Sequence, residues 1–139
     1  MTYTDTMIAR FRENGLKITP QRLAVLRLLE GNRSHPTAED IYHTLKDEYP
    51  NLSFTTVYNI LKSIRDAGGL RELLIDRERA HYDPDTSLHH HIICTRCGKL
   101  EDVHIKTGAE PELPAKMTGD FLVTGHQINF FGICGRCRD

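Results

Sequence analysis

Ser53-Phe-Thr-Thr-Val-Tyr-Asn-Ile-Leu-Lys-Ser-Ile-Arg-Asp-Ala-Gly-Gly69, followed at once by Leu70-Arg-Glu-Leu-Leu-Ile75, decides how this chain is read. Ser53 is a good N-cap, and Val57, Ile60, Leu61 and Ile64 recur at helical spacing. The spacing predicts an amphipathic helix that stops at Gly68-Gly69. Its other face carries Thr55, Thr56, Tyr58, Asn59, Lys62 and Arg65. Hydroxyls, an amide and cations are groups that bond base edges and phosphates, although an ordinary solvated helix face has the same composition. The residues that follow separate the two readings. Leu70–Ile75, a charged Asp76-Arg-Glu-Arg79 turn and Ala80-His-Tyr-Asp83 predict a two-stranded hairpin. A hairpin directly after such a helix is a winged helix, with Arg77 and Arg79 at the wing tip near phosphates.

Upstream, Asp5 to Asn14 places Met7, Ile8 and Phe11 on one face and stops at Gly15. Thr19-Pro20 is an N-cap with proline at N1, opening a helix with Leu23, Leu26 and Leu29 that ends at Gly31. Thr37 caps a third helix, with Asp40 at its positive end, Ile41, Tyr42 and Leu45 on its buried face, and Pro50 beyond it. The short link from this helix to the next is helix-turn-helix geometry. With 18 Lys+Arg against 19 Asp+Glu the chain has no global basic footprint, so a nucleic acid must be met by a local patch. Lys17, Arg22, Lys62 and Arg65 supply one.

The 139 residues divide unevenly in chemistry. Up to Asp83 there is no cysteine; beyond it come all four cysteines and five of the eight histidines. Cys94-Thr-Arg-Cys97 and Cys134-Gly-Arg-Cys137 are two Cys-x-x-Cys knuckles, which together complete a tetrahedral Zn²⁺ shell. Paired disulfides are the alternative. The first residues lack a basic n-region and an apolar h-region, and no apolar run approaches a membrane span, so a reduced cytoplasmic thiol set is expected.

The second part is expected to form a three-stranded sheet from His89–Cys94, Lys99–His104 and the segment containing Phe121–Thr124 and Gln127–Ile133. Alternation places His89 and His91 on one face and His90 on the other, so two imidazoles face a single metal. Leu122, Ile128, Phe130 and Phe131 read as core and dimer interface. The expected class is α+β: a winged helix over 1–83, a hinge at 84–88 and an α/β dimerisation domain over 89–139 with a three-stranded antiparallel sheet.

The whole pattern resembles the ferric uptake regulator (Fur) family. The resemblance is carried by Gly15-Leu-Lys-Ile-Thr-Pro-Gln-Arg22, His35-Pro-Thr-Ala-Glu-Asp-Ile-Tyr42, Thr56-Val-Tyr-Asn59, His89-His-His-Ile-Ile-Cys94, Cys97-Gly-Lys99 and Gly132-Ile-Cys-Gly-Arg-Cys137. It implies a homodimeric, metal-dependent repressor of inverted-repeat operators in double-stranded DNA. It implies structural zinc at Cys94, Cys97, Cys134 and Cys137. It also implies a regulatory Fe²⁺ or Mn²⁺ site at the hinge, built from His35, Asp83, His89, His91 and Asp102. Three imidazoles and two carboxylates are a mixed N/O set suited to such metals.

Asp102, five residues after Cys97, resembles the peroxide-responsive repressor (PerR) branch; the iron-responsive branch typically has Glu there. In that branch peroxide oxidises a ligand histidine, here His35 or His89. An iron- or zinc-responsive repressor without peroxide sensing is the rival within the family. Two residues depart from the family pattern. Leu88 replaces a histidine, which weakens a further metal site at His90, His126 and Glu110 or Glu112, and Gly69 replaces an apolar residue, which is expected to loosen the helix-to-wing junction. A zinc enzyme is disfavoured, because a four-cysteine shell is closed to substrate and neither His-x-Glu nor His-Glu-x-x-His occurs.

Overall fold

A computed structural model of the chain describes residues 1–76, 78–106, 111–114 and 119–138. Its elements run α1 (Tyr3–Glu13), α2 (Pro20–Leu29), α3 (Ala38–Leu45), α4 (Phe54–Asp66), β1 (Arg71–Leu73), β2 (His81–Asp83), β3 (His90–Cys94), β4 (Leu100–Val103) and β5 (Asn129–Gly132). The chain forms two compact units, Met1–Ser87 and Leu88–Asp139.

Local chemistry starts and stops the helices of the first unit. Thr2 and Asp5 form a reciprocal capping box on α1, two residues ahead of the expected start, and Thr37 with Asp40 forms another on α3. The hydroxyls of Thr19 and Ser53 accept from the backbone N–H of Arg22 and Thr56. Each cap satisfies a donor that the helix itself cannot pair. Gly68, at φ 80°, closes α4 in a conformation that costs glycine nothing.

Val57, Ile60, Leu61 and Ile64, the stripe expected of α4, are all buried, packed with Phe11, Leu26, Leu29 and Ile41 into one core. At Gly69, where loosening was expected, the structure shows close packing. It is buried, and a Cβ on it would lie 2.4 Å from Met7 Sδ and 3.0 Å from Ile64 Cγ2. The Tyr3 hydroxyl donates to its carbonyl at 2.9 Å. The missing side chain leaves the space that Met7 of α1 fills against the junction. β1 and β2 then pair antiparallel, Glu72 opposite Tyr82, as the expected wing hairpin.

In the second unit β3 is central, with order β4-β3-β5. β3 and β4 are antiparallel, but β5 runs parallel to β3, with His91 opposite Asn129 and Cys94 opposite Gly132. The expectation of a wholly antiparallel sheet is corrected there. The long excursion from β4 carries the chain past β4 to the other edge of β3, a neighbour that a tight turn out of β4 does not allow. Phe121–Thr124 is not a strand, and Phe121 and Leu122 are 83% and 88% exposed. Phe130 and Phe131 are exposed and Ile128 is half-buried, so within one chain these residues do not form the expected core.

Candidate metal centres and nucleic-acid face

The two cysteine knuckles come together in the second unit. Their four Sγ atoms lie within 4.8 Å of one another, and Cys97 Sγ is 3.7 Å from Cys134 Sγ. Zinc–sulfur bonds of about 2.3 Å put tetrahedral sulfurs roughly 3.8 Å apart, so the spacing fits a zinc shell. No disulfide joins them. Gly98, at φ 79°, lets the first knuckle turn, and its N–H donates to the Cys94 carbonyl at 2.9 Å. Arg96 donates to the Cys137 carbonyl, and Thr95 N–H to the Gly132 carbonyl, tying one knuckle to the other.

Backbone N–H donors surround these sulfurs with positive potential, which favours thiolates. The Cys134 N–H, 3.3 Å from Cys94 Sγ, leads the groups that bring the Cys94 thiol down to about 6. Cys134 is lowered mainly by the Cys137 N–H. Cys137 moves the other way, to about 12, chiefly through its contact with Cys134. Thiolates crowded together resist the last ionisation, and a bound dication removes that resistance. The donor set therefore fits Zn²⁺.

Imidazoles and carboxylates gather separately in each unit. In the first, His35 is 1% exposed and its Nε2 lies 3.4 Å from Asp83 Oδ2. Asp83 Oδ1 accepts from the Asp85 N–H at 2.9 Å, which fixes the carboxylate plane. His35 holds φ 53°, a left-handed conformation that costs a non-glycine residue about 1–2 kcal/mol. Its carbonyl oxygen is 2.6 Å from Nδ1 of His81, whose Nε2 is 3.0 Å from Asp76 Oδ2. That contact leads the groups that lower the Asp76 carboxyl, followed by the Glu78 N–H.

In the second unit, antiparallel register puts His91 opposite Asp102. Asp102 Oδ1 is 3.2 Å from His89 Nε2 and 3.3 Å from His91 Nε2, with the two ring centroids 4.7 Å apart. Both rings are buried. Gln127 holds its amide 3.0 Å from His91 Nδ1, so the ring is oriented from behind. Sequence reasoning missed Gln127, because only the parallel entry of β5 brings that segment alongside β3.

His90 points the other way, as alternation requires. Its Nδ1 accepts from the Ile128 N–H at 3.0 Å, and its ring stacks on His126 at 5.6 Å and 23°. Glu110, one of the acids considered with this pair, lies outside the described residues.

On the first unit, Thr55, Tyr58, Asn59 and Lys62 are exposed along α4. The Thr56 hydroxyl is half-withdrawn, 2.8 Å from Ser53 Oγ. Arg22 donates to the Lys17 carbonyl at 2.6 Å, and a cleft of about 360 Å³ lies between these residues and Thr56, Asn59 and Ser63. Arg65 is engaged with Glu72 of β1 and, at 3.5 Å, with Asp66, so it also braces the helix against the wing. Arg79 is exposed near the wing tip; Arg77 lies outside the described residues. Among the described residues no helix is long and apolar enough to cross a membrane.

The ferric uptake regulator family pattern matches residues 13–131. A peroxide-responsive repressor PerR of Staphylococcus epidermidis is 41% identical over 135 residues, spanning 97% of this chain and 90% of that protein. Among solved structures, the Helicobacter pylori regulator Fur, described as having three functional metal-binding sites, overlaps with a TM-score of 0.76 at 25% identity, covering 98% of this chain and 94% of that one. PerR from Streptococcus pyogenes overlaps at 0.59 and 28% identity, covering 99% and 95%.

Proposed function

Because the chain belongs to the ferric uptake regulator family, we propose that it is a metal-dependent transcriptional repressor that binds operator DNA as a homodimer and responds to peroxide. Members of this family are regulators, and the chain is not an enzyme. The observation that carries the sensing role is the convergence of two buried imidazoles on one oxygen of Asp102, at 3.2 and 3.3 Å, in a chain 41% identical to peroxide-responsive repressors.

In this proposal His89, His91 and Asp102 form one half of a regulatory site, and His35 with Asp83 forms the other. Neither half fills an octahedral shell alone, and joined they give three nitrogens and two carboxylates, a set suited to Fe²⁺ or Mn²⁺. The two halves come before and after residues 84–88 along the chain, so a shared ion would bias that hinge toward the spacing at which two recognition helices meet an inverted repeat. Thr55, Thr56, Tyr58, Asn59, Lys62 and Arg65 face the groove, with Lys17, Arg22 and Arg77 toward phosphates.

Bound iron supplies the redox chemistry with peroxide. His35 or His89 would gain one oxygen atom from H₂O₂, with water released, and would then no longer serve as a ligand. The Cys94, Cys97, Cys134 and Cys137 clamp keeps its zinc meanwhile. The exposed Phe130, Phe131 and Leu122 are the surface that a second copy covers. The protein works in the cytoplasm, where its four thiols stay reduced.

A gel shift on an inverted-repeat operator tests this directly. Mn²⁺ or Fe²⁺ is expected to produce the shift, and peroxide to abolish it only for the Fe²⁺ form. No shift under any metal would overturn the repressor reading. The high structural overlap with an iron regulator favours, as a second reading, an iron- or zinc-responsive repressor without peroxide sensing; a shift that peroxide leaves intact would select it.

A further inference from the structure

His81 is a buried histidine outside both ligand sets. Its Nδ1 lies 2.6 Å from the His35 carbonyl oxygen and its Nε2 lies 3.0 Å from Asp76 Oδ2. A carbonyl only accepts, so the Nδ1–H donates to His35, while Nε2 faces the Asp76 carboxyl group. At one end it reaches the residue with the chain's one non-glycine positive φ among those described. At the other it reaches the start of the wing turn, which Asp76 organises through its other oxygen, accepting from the Glu78 N–H at 3.0 Å. All these groups belong to the first unit.

We propose that His81 is a positioning residue that holds His35 in its ligand geometry and ties that geometry to the wing turn at Asp76. The inference rests on the reading of His35 as a metal ligand. A left-handed non-glycine residue persists only where its surroundings over-determine it. Three restraints act on the loop around His35: the His81 donor on its carbonyl, the Tyr82 N–H on the Pro36 carbonyl at 2.9 Å, and the bridge between Thr37 and His81. All three come from β2, the second strand of the wing. The His35 imidazole is thus aimed by the hairpin that faces DNA. Any force that moves the wing turn is felt at the ligand through Asp76 and His81. By reciprocity, metal at His35 stiffens the wing.

The test uses the full-length, zinc-loaded protein titrated with Mn²⁺ alone. His81→Leu is expected to weaken Mn²⁺ binding about tenfold or more, in line with the loss of a group that orients a ligand. Asp76→Asn, which touches no ligand, is expected to weaken it by a smaller factor and to add nothing in the His81→Leu background. His81→Arg, which supplies two donors, restores most of the affinity. A general loss of fold would instead lower the unfolding temperature without this non-additivity. Wild-type Mn²⁺ affinity in His81→Leu, or an Asp76→Asn effect that adds in full, overturns the proposal. If His81→Leu does not fold, Asp76→Asn and His81→Arg decide alone: an unchanged affinity in Asp76→Asn overturns it. His35→Ala separates the two levels. Unchanged affinity there removes the ligand reading and this inference with it, whereas weakened binding there beside normal His81→Leu and Asp76→Asn removes this inference only.

Discussion

The four cysteines and the five histidine and carboxylate residues are both candidate metal-ligand sets, and they are built in opposite ways. The cysteines sit within one unit, on two turns stitched together by Arg96 and Thr95, with sulfur spacing that already matches zinc. The histidines and carboxylates sit in two halves on two units, each held by groups behind it: His81 and the Asp85 N–H in the first, Gln127 in the second. A closed set within one unit suits a permanent ion. In the proposed function, an ion that draws on ligands from both units would be read out as a change of state.

The largest expected effect comes from opening the closed set. Structural zinc contributes on the order of 10–16 kcal/mol of binding free energy to the fold that holds it. Cys134→Ser is therefore expected to lose zinc and the dimer together, seen by metal analysis and sedimentation. A stable zinc-free dimer would erase the distinction drawn between the two sets. Next in size is His91→Ala, which removes a ligand while leaving the cysteines untouched. It is expected to keep zinc and dimer but to lose Mn²⁺ affinity by more than the roughly 10–100-fold that an outer partner costs. Calorimetry and a gel shift on the same sample read both halves of that statement.

Gln127→Ala sharpens the comparison further, since it touches the ligand only from behind. About a tenfold rise in the Mn²⁺ dissociation constant is expected, with the zinc content unchanged. An unaltered constant would mean that β3 alone orients His91. The smallest effect on binding is expected from Asp102→Glu, which keeps the carboxylate and lengthens its arm. Metal-dependent DNA binding persists and peroxide sensitivity falls; equal oxidation of both proteins, measured by mass, would contradict this.

Much of this was readable from residues, and the reasons differ by region. The winged helix was legible because its signals are local: caps at Thr19, Thr37 and Ser53, the α4 stripe, and a hairpin with charged turn. The cysteine cluster was legible because spacing alone fixes a knuckle. The pairing of β5 was not, since the long excursion decides which edge it joins and leaves no mark on the strand itself. Phe121–Thr124 has strand composition but no strand neighbour, so propensity misled. Gly69 looked like a loosening residue and is a space for Met7, a contact across 62 positions that no local pattern carries. Gln127 and His81 were invisible for the same reason. Groups that orient ligands are defined by what they reach, and their own sequence context is ordinary.

The central claim is that the histidine and carboxylate set changes state while the cysteine set does not. Intact and peptide mass analysis of the zinc- and Fe²⁺-loaded protein after peroxide, with a gel shift on the same sample, tests it most directly. The account predicts the added mass of one oxygen atom at His35 or His89, loss of DNA binding, and zinc still in place. Unchanged histidines with DNA binding retained, or oxidised cysteines with zinc released, would contradict it.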